Sequence, residues 1–132
     1  MTDRHAEIVT RLAVLSDSDD FEAMRDLMHS EIVMFGPEGW PERGPFRGRD
    51  AVIRQFARLA EDYDERRTQA EELVGAEDRL AGRLRWHVRA RQSGIESDLE
   101  VWFANRYRDG RLAEIRYFWS REEAVGAAGL SE

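Results

Sequence analysis

Residues 83–119 read RLRWHVRARQSGIESDLEVWFANRYRDGRLAEIRYFW, and their hydrophobic period of two decides the fold. Leu84, Trp86 and Val88 alternate with Arg85, His87 and Arg89, and the same alternation runs through Leu99–Phe103 and Ile115–Tyr117. Ser93-Gly94 reads as a two-residue hairpin turn. Gln92 then faces Ile95, and the ladder pairs Arg91 with Glu96, Arg89 with Asp98 and His87 with Glu100. The other face pairs Val88 with Leu99, Trp86 with Val101 and Leu84 with Phe103. A slip of one residue would set Arg89 against Ser97 and bury charges. Opposite charges across a ladder are worth about 0.2–1 kcal/mol each, which favours the first register.

The next turn, Arg108-Asp109-Gly110, offers a choice. Two turn residues would place Glu114 and Arg116 on the apolar face. A three-residue turn with left-handed Gly110 pairs Tyr107 with Arg111, Phe103 with Ile115 and Val101 with Tyr117, and is preferred because it keeps that face apolar. The inner face then holds Leu84, Trp86, Val88, Leu99, Val101, Phe103, Ala113, Ile115, Tyr117 and Trp119, with Ser97, Asn105 and Tyr107 as its polar members. Trp102, Leu112 and Phe118 stand among charges on the outer face, too apolar for open water, and are expected to receive a second copy of the chain.

Upstream the pattern is helical. Asp3 is expected to cap a helix carrying Ile8, Leu12 and Leu15, and Asp19 or Asp20 a second one carrying Phe21, Met24 and Leu27. Glu31–Phe35 is the first strand candidate. Residues 36–48, GPEGWPERGPFRG, hold all three prolines and form a long loop with no central strand or helix. Val52, Phe56, Leu59 and Tyr63 make one stripe of a third helix. Strands are expected at Arg67–Gly75, Leu80–Gln92, Ile95–Tyr107 and Arg111–Trp119. A closing helix runs from the capping box Ser120/Glu123 to a stop at Gly129. The class is α+β, a curved antiparallel sheet with helices on one face.

Composition narrows the chemistry. A chain of 132 residues suits one compact domain. There is no cysteine, and all 20 basic residues are arginine, so thiolate and lysine chemistry are both excluded. A net charge of -7 argues against a general nucleic-acid binder. No apolar run is long enough to span a bilayer, and residues 1–6 are polar, so a cytoplasmic location is expected. Three scattered histidines form no ligand pattern, and neither a metal nor a cofactor is expected.

Three segments resemble the SnoaL-like proteins, of the superfamily named after nuclear transport factor two. They are the loop Trp40–Val52, the hairpin Arg106–Leu112, and Tyr117 followed by Ser120–Ala124. The resemblance covers Ile8 to Leu130 and implies a cone-shaped barrel: a curved sheet wrapped around N-terminal helices, with a pocket at its mouth. It also implies dimerisation through the convex sheet face. It points to isomerases, cyclases and hydrolases of small molecules, and to binding modules that catalyse nothing. Those enzymes use a carboxylate base with oxyanion donors, or an acid pair around an arginine. The third strand here presents Leu84, Trp86 and Val88 inward, and the last-strand acid falls near Tyr117, so the epoxide-hydrolase pattern is not met.

An apolar, aromatic-lined pocket for a small hydrophobic molecule is therefore expected. Its wall would be Phe35, Trp40, Phe56, Trp86, Phe103, Tyr107 and Trp119, with Trp40 as a lid residue. Tyr117 and Asn105 are the candidate donors and His29 the candidate base, while Glu31 and Glu38 are the nearest acids by sequence. Two other readings stand beside this one. One is an isomerase, cyclase or hydrolase of polyketide-like or steroid-like molecules. The other is a dimerising module with a filled core.

Overall fold

In the computed structural model, which describes residues 2–130, a six-stranded sheet curves around two helices without closing. Helix α1 spans Thr2–Asp17, and a 3-10 turn at Glu22–Leu27 leads into β1, Met28–Phe35. Then come β2 (Phe46–Arg47), α2 (Arg49–Ala60), β3 (Tyr63–Ala76), β4 (Arg79–Ala90), β5 (Glu96–Arg108), β6 (Arg111–Phe118) and α3 (Arg121–Ala127). The strand order is β2-β1-β6-β5-β4-β3, with β1 and β6 parallel and every other pair antiparallel. No helix is long and apolar enough to cross a membrane among the described residues.

The helices depart from expectation where arginines intervene. Asp19 caps nothing: it turns left-handed (φ 61°) at the end of α1, and its carboxylate binds Arg66. Without a side-chain cap, the next segment winds only as a 3-10 turn. Helix α2 stops at Ala60, because Arg66 and Arg91 bind the carbonyls of Ala60, Glu61 and Tyr63 at 3.1–3.5 Å. Tyr63, expected on the helix stripe, instead opens β3 and meets Trp86 edge-on at 5.4 Å. The Asp3 side chain lies outside the described residues. The short β2, within the proline-rich loop, pairs with β1 at the sheet edge, where proline neighbours are tolerated.

Both hairpins keep the expected faces but shift register. In the first, Ala90 pairs with Ile95 across a four-residue loop with Gly94 left-handed (φ 73°). Arg89 therefore faces Glu96, His87 faces Asp98 and Leu84 faces Val101, two residues away from the expected ladder. The cause is Arg91, which leaves the ladder to donate its N–H to the Asp62 carbonyl at 2.8 Å. In the second hairpin the turn has two residues, Asp109 and Gly110, both left-handed (φ 54° and 75°). An extra residue at Ala113 then restores the parity: Tyr107 pairs with Leu112, and Arg106 with Glu114. Phe103 thus faces Tyr117 and Asn105 faces Ile115, so the inner side stays apolar as expected, with partners one pair further along.

The outer patch is corrected on two counts. Leu112, next to the bulge, turns into the main core and is 0% exposed. Trp102, at 6%, and the half-buried Phe118 pack with Ala81 and Ala104 under α3. Arg83 and Arg121 flank the Trp102 ring, each at 5.8 Å. Helix α3 therefore covers the outer face, contrary to the expectation of helices on one face. Leu112 and Trp102, two of the three residues expected to receive a second copy, are buried within the chain, while Phe118 stays partly exposed. Of the foreseen capping box the serine half holds α3: the Ser120 hydroxyl accepts from Glu123 N–H at 3.2 Å and donates to Glu123 Oε1 at 3.1 Å, and Gly129 ends the helix left-handed.

Candidate functional site

Between the inner sheet face and the two N-terminal helices lies a cavity of about 110 Å³. The spacing of α1 sends Val9, Leu12, Ala13 and Ser16 to its wall, one face at i, i+3, i+4 and i+7. From α2 come Phe56 and Leu59, and Trp40 reaches in from the proline-rich loop. The sheet supplies Thr68, Leu84, Trp86, Val101, Phe103, Asn105, Leu112, Ile115 and Tyr117. None of these side chains carries a charge at neutral pH.

At Gly82 the backbone of β4 passes close beneath Phe103. A methyl there would meet the Phe103 ring at 2.9 Å and Leu73 Cδ2 at 2.6 Å, so a side chain is incompatible with the present place of Phe103. Trp40 is held from outside. The Trp119 indole N–H donates to the Glu38 carbonyl at 2.7 Å, and the two indole rings stand 6.4 Å apart, tilted. The loop closes on itself through Gly36 N–H to the Arg43 carbonyl (2.8 Å), and Glu42 pairs with Arg58 of α2 at 2.6 Å.

Four polar side chains line the cavity. Thr68 is committed, its hydroxyl and N–H both donating to the Asp17 carboxylate at 2.7 Å. That occupies both oxygens of Asp17. Asn105 is 6% exposed and donates through Nδ2 to the Tyr107 hydroxyl at 3.3 Å. Tyr107 donates in turn to the His5 carbonyl at 3.2 Å, and its ring stacks on His5 at 4.0 Å. Burial pushes the Tyr107 and Tyr117 phenols up, so both stay protonated and remain donors, and it lowers His5, which favours the neutral imidazole. The fourth polar group is Ser16, whose carbonyl accepts from Arg66 at 2.8 Å.

The structure therefore brings together Trp40, Phe56, Trp86, Phe103, Asn105 and Tyr117 of the expected residues. Tyr107 stands behind Asn105, off the wall. Phe35 lies away from the cavity with the Arg116 guanidinium 4.3 Å over its ring. Trp119, half exposed at 51%, is past the end of β6 and holds the loop rather than the wall. His29 is remote from the cavity: its Nδ1 accepts from Glu31 N–H at 3.0 Å, and its Nε2 from Arg108 at 3.2 Å. Neither Glu31 nor Glu38 lines the cavity; Glu31 instead meets Arg108 at 3.4 Å. The α1 and Thr68 contributions were missed, although the helical stripe carried the signal for α1. Among the described residues no group of His, Asp or Glu could hold a metal ion.

A family model for the SnoaL-like domain matches residues 9–115. The chain belongs to the SnoaL-like family. No curated protein matches it. Among solved structures it is similar to Bal32a from a soil-derived mobile gene cassette, with 21% identity, TM-score 0.76, and 93% of this chain and 94% of that one covered. It is also similar to Rv0760c from Mycobacterium tuberculosis, solved with estradiol-17β-hemisuccinate: 20% identity, TM-score 0.74, 90% and 95% covered. A computationally designed 17-OHP binder follows at 21% identity and TM-score 0.71, with 89% and 92% covered. At these identities the likeness is one of fold.

Proposed function

We propose that this SnoaL-like chain binds a neutral, largely apolar small molecule in the cavity under Trp40, as a binding protein rather than an enzyme. One observation carries the reading: the wall holds no charged side chain, and its polar atoms are few. An ionised ligand would leave water without a counter-charge, a cost of several kcal/mol or more. A neutral ring gives up little and gains roughly 25 cal/mol for each Å² it buries. The volume, about 110 Å³, approaches that of an engineered cavity of about 150 Å³ that takes benzene, which suits one small ring with the rest of a larger ligand extending through the open mouth. Rv0760c, of the same fold, was solved with estradiol-17β-hemisuccinate, a molecule larger than one ring, which supports a ligand that extends through the mouth.

An isomerase, cyclase or hydrolase of polyketide-like or steroid-like molecules needs a carboxylate at the reacting atom, and no residue of this wall supplies one. A filled core fits less well, given the cavity that Phe103, Leu84 and Tyr117 line.

Trp40 and Trp86 lie in the wall, so their fluorescence reports occupancy. Toluene is expected to quench it saturably at submillimolar concentration, and benzoate to bind at least 100-fold more weakly. Equal binding of benzoate, or no saturable response to toluene, refutes the proposal. Mass spectrometry of ligand carried through native purification would then name the molecule.

A further inference from the structure

Resting on that binding reading, we infer that the ligand carries a hydroxyl group, an alcohol or phenol, that donates to Asn105 Oδ1. The inference begins with a hydrogen-bond chain whose direction is forced. A tyrosine hydroxyl has one proton. That of Tyr107 goes to the His5 carbonyl, an acceptor only, at 3.2 Å. Toward Asn105 the Tyr107 oxygen can therefore only accept, and the amide must offer it Nδ2. This fixes the carboxamide and leaves Oδ1 at its other end, buried and without a hydrogen-bond partner.

A buried acceptor left unpaired is costly, and native structures rarely keep one without reason. Asn105 lines the cavity as well as a smaller pocket beside Arg79, Glu114 and Arg116, and of the two the cavity has the apolar wall an organic ligand needs, so the donor is placed there. The wall supplies none: the Tyr117 phenol is a diagonal neighbour across β5 and β6, but no hydrogen bond joins it to Asn105. Neighbours in that relation stand about 7–8 Å apart at Cα, enough for a ligand oxygen to sit between their side chains. An alcohol oxygen there donates to Asn105 Oδ1 and accepts from the Tyr117 hydroxyl. A ketone can accept from Tyr117 but leaves Oδ1 orphaned, and a hydrocarbon pairs with neither. Tyr107 is on this account a positioning residue, setting which end of the amide the ligand meets.

The test compares cyclohexanol, cyclohexanone and methylcyclohexane by Trp40/Trp86 fluorescence and by calorimetry. In the native protein the alcohol is expected to bind about 5–10-fold more tightly than the ketone, the worth of one buried hydrogen bond. Tyr107→Phe frees the amide to turn, and the alcohol-to-ketone ratio should fall toward one while methylcyclohexane affinity stays within about twofold. Asn105→Leu should abolish the ratio outright, and the two variants guard each other against a folding defect. An alcohol-to-ketone ratio near one in the native protein, or one unchanged in both variants, overturns the hydroxyl inference and leaves the binding proposal standing. Failure of all three rings to bind overturns the binding proposal and this inference with it.

Discussion

Filling the cavity should trade ligand binding for stability, and Ala13→Leu is the substitution that does it. Ala13 lies on α1 with its methyl at the cavity wall, and leucine adds three carbons without disturbing the helix. At about 0.8 kcal/mol for each buried methylene, the gain is at most about 2.4 kcal/mol. The void gives a second route: about 110 Å³ at ~24 cal/mol per Å³ is about 2.6 kcal/mol. Imperfect fit and lost side-chain freedom reduce either figure, so about 1–2 kcal/mol is expected, a Tm rise of about 3–8 °C for a chain of this size. Differential scanning calorimetry without ligand reads the gain, and the toluene titration reads the loss, which should exceed tenfold. If Ala13→Leu lowers Tm and leaves toluene binding intact, the space is not the ligand cavity and the reasoning fails.

Three other outcomes follow from contacts outside the cavity. His87 lies between Asp98 Oδ1 (2.7 Å) and Glu96 Oε1 (3.0 Å), whose hydrogen bonds raise its pKa, with Asp98 contributing most. The stability it adds is full below the ordinary histidine range and is lost as pH rises through the elevated value; an NMR titration should place His87 above about 6.5, and Asp98→Asn should bring it down. Trp102→Arg should unseat α3 and cost about 3 kcal/mol or more by burying a charge where the indole packed, seen as a lower urea midpoint; unchanged stability would mean that α3 does not need Trp102. Trp119→Phe removes the bond to Glu38 and should speed ligand release several-fold in stopped-flow, with Tm nearly unchanged; an unchanged release rate would free Trp119 of any part in holding the loop.

Faces were easier to read from this sequence than partners. Alternation around Leu84–Val88 and Val101–Phe103 assigned inner and outer sides correctly, because a wrong parity would bury whole rows of arginine. Register depends on turn length, and that was decided elsewhere. Arg91 prefers the carbonyl of Asp62, which is distant in sequence, and the bulge at Ala113 offsets a turn of two residues. The cavity aromatics that sit on regular elements (Phe56, Trp86 and Phe103) were placed well. Those at element ends (Phe35 and Trp119) were not, since a strand's last residues follow the loops they touch. His29 looked like a base from its position between helix and strand, but the neighbouring Arg108 claims its ring. The cover over Trp102 was the hardest to foresee. Ala124, Val125 and Ala128 are small, and nothing in their spacing says which sheet face they will meet.

The extra residue in β6 gives that strand one unit of slack. Deleting Ala113 would let the ladder run straight from Tyr107–Leu112 into Arg106–Glu114 and keep every later pair, Phe103–Tyr117 included. An inserted residue after Glu114 has no such outlet: it would turn the rest of the strand inside out, sending Ile115 and Tyr117 to solvent and Arg116 toward the ligand space. Chain length at this one hairpin thus decides whether the cavity is neutral or charged. The hairpin can lose a residue far more safely than it can gain one.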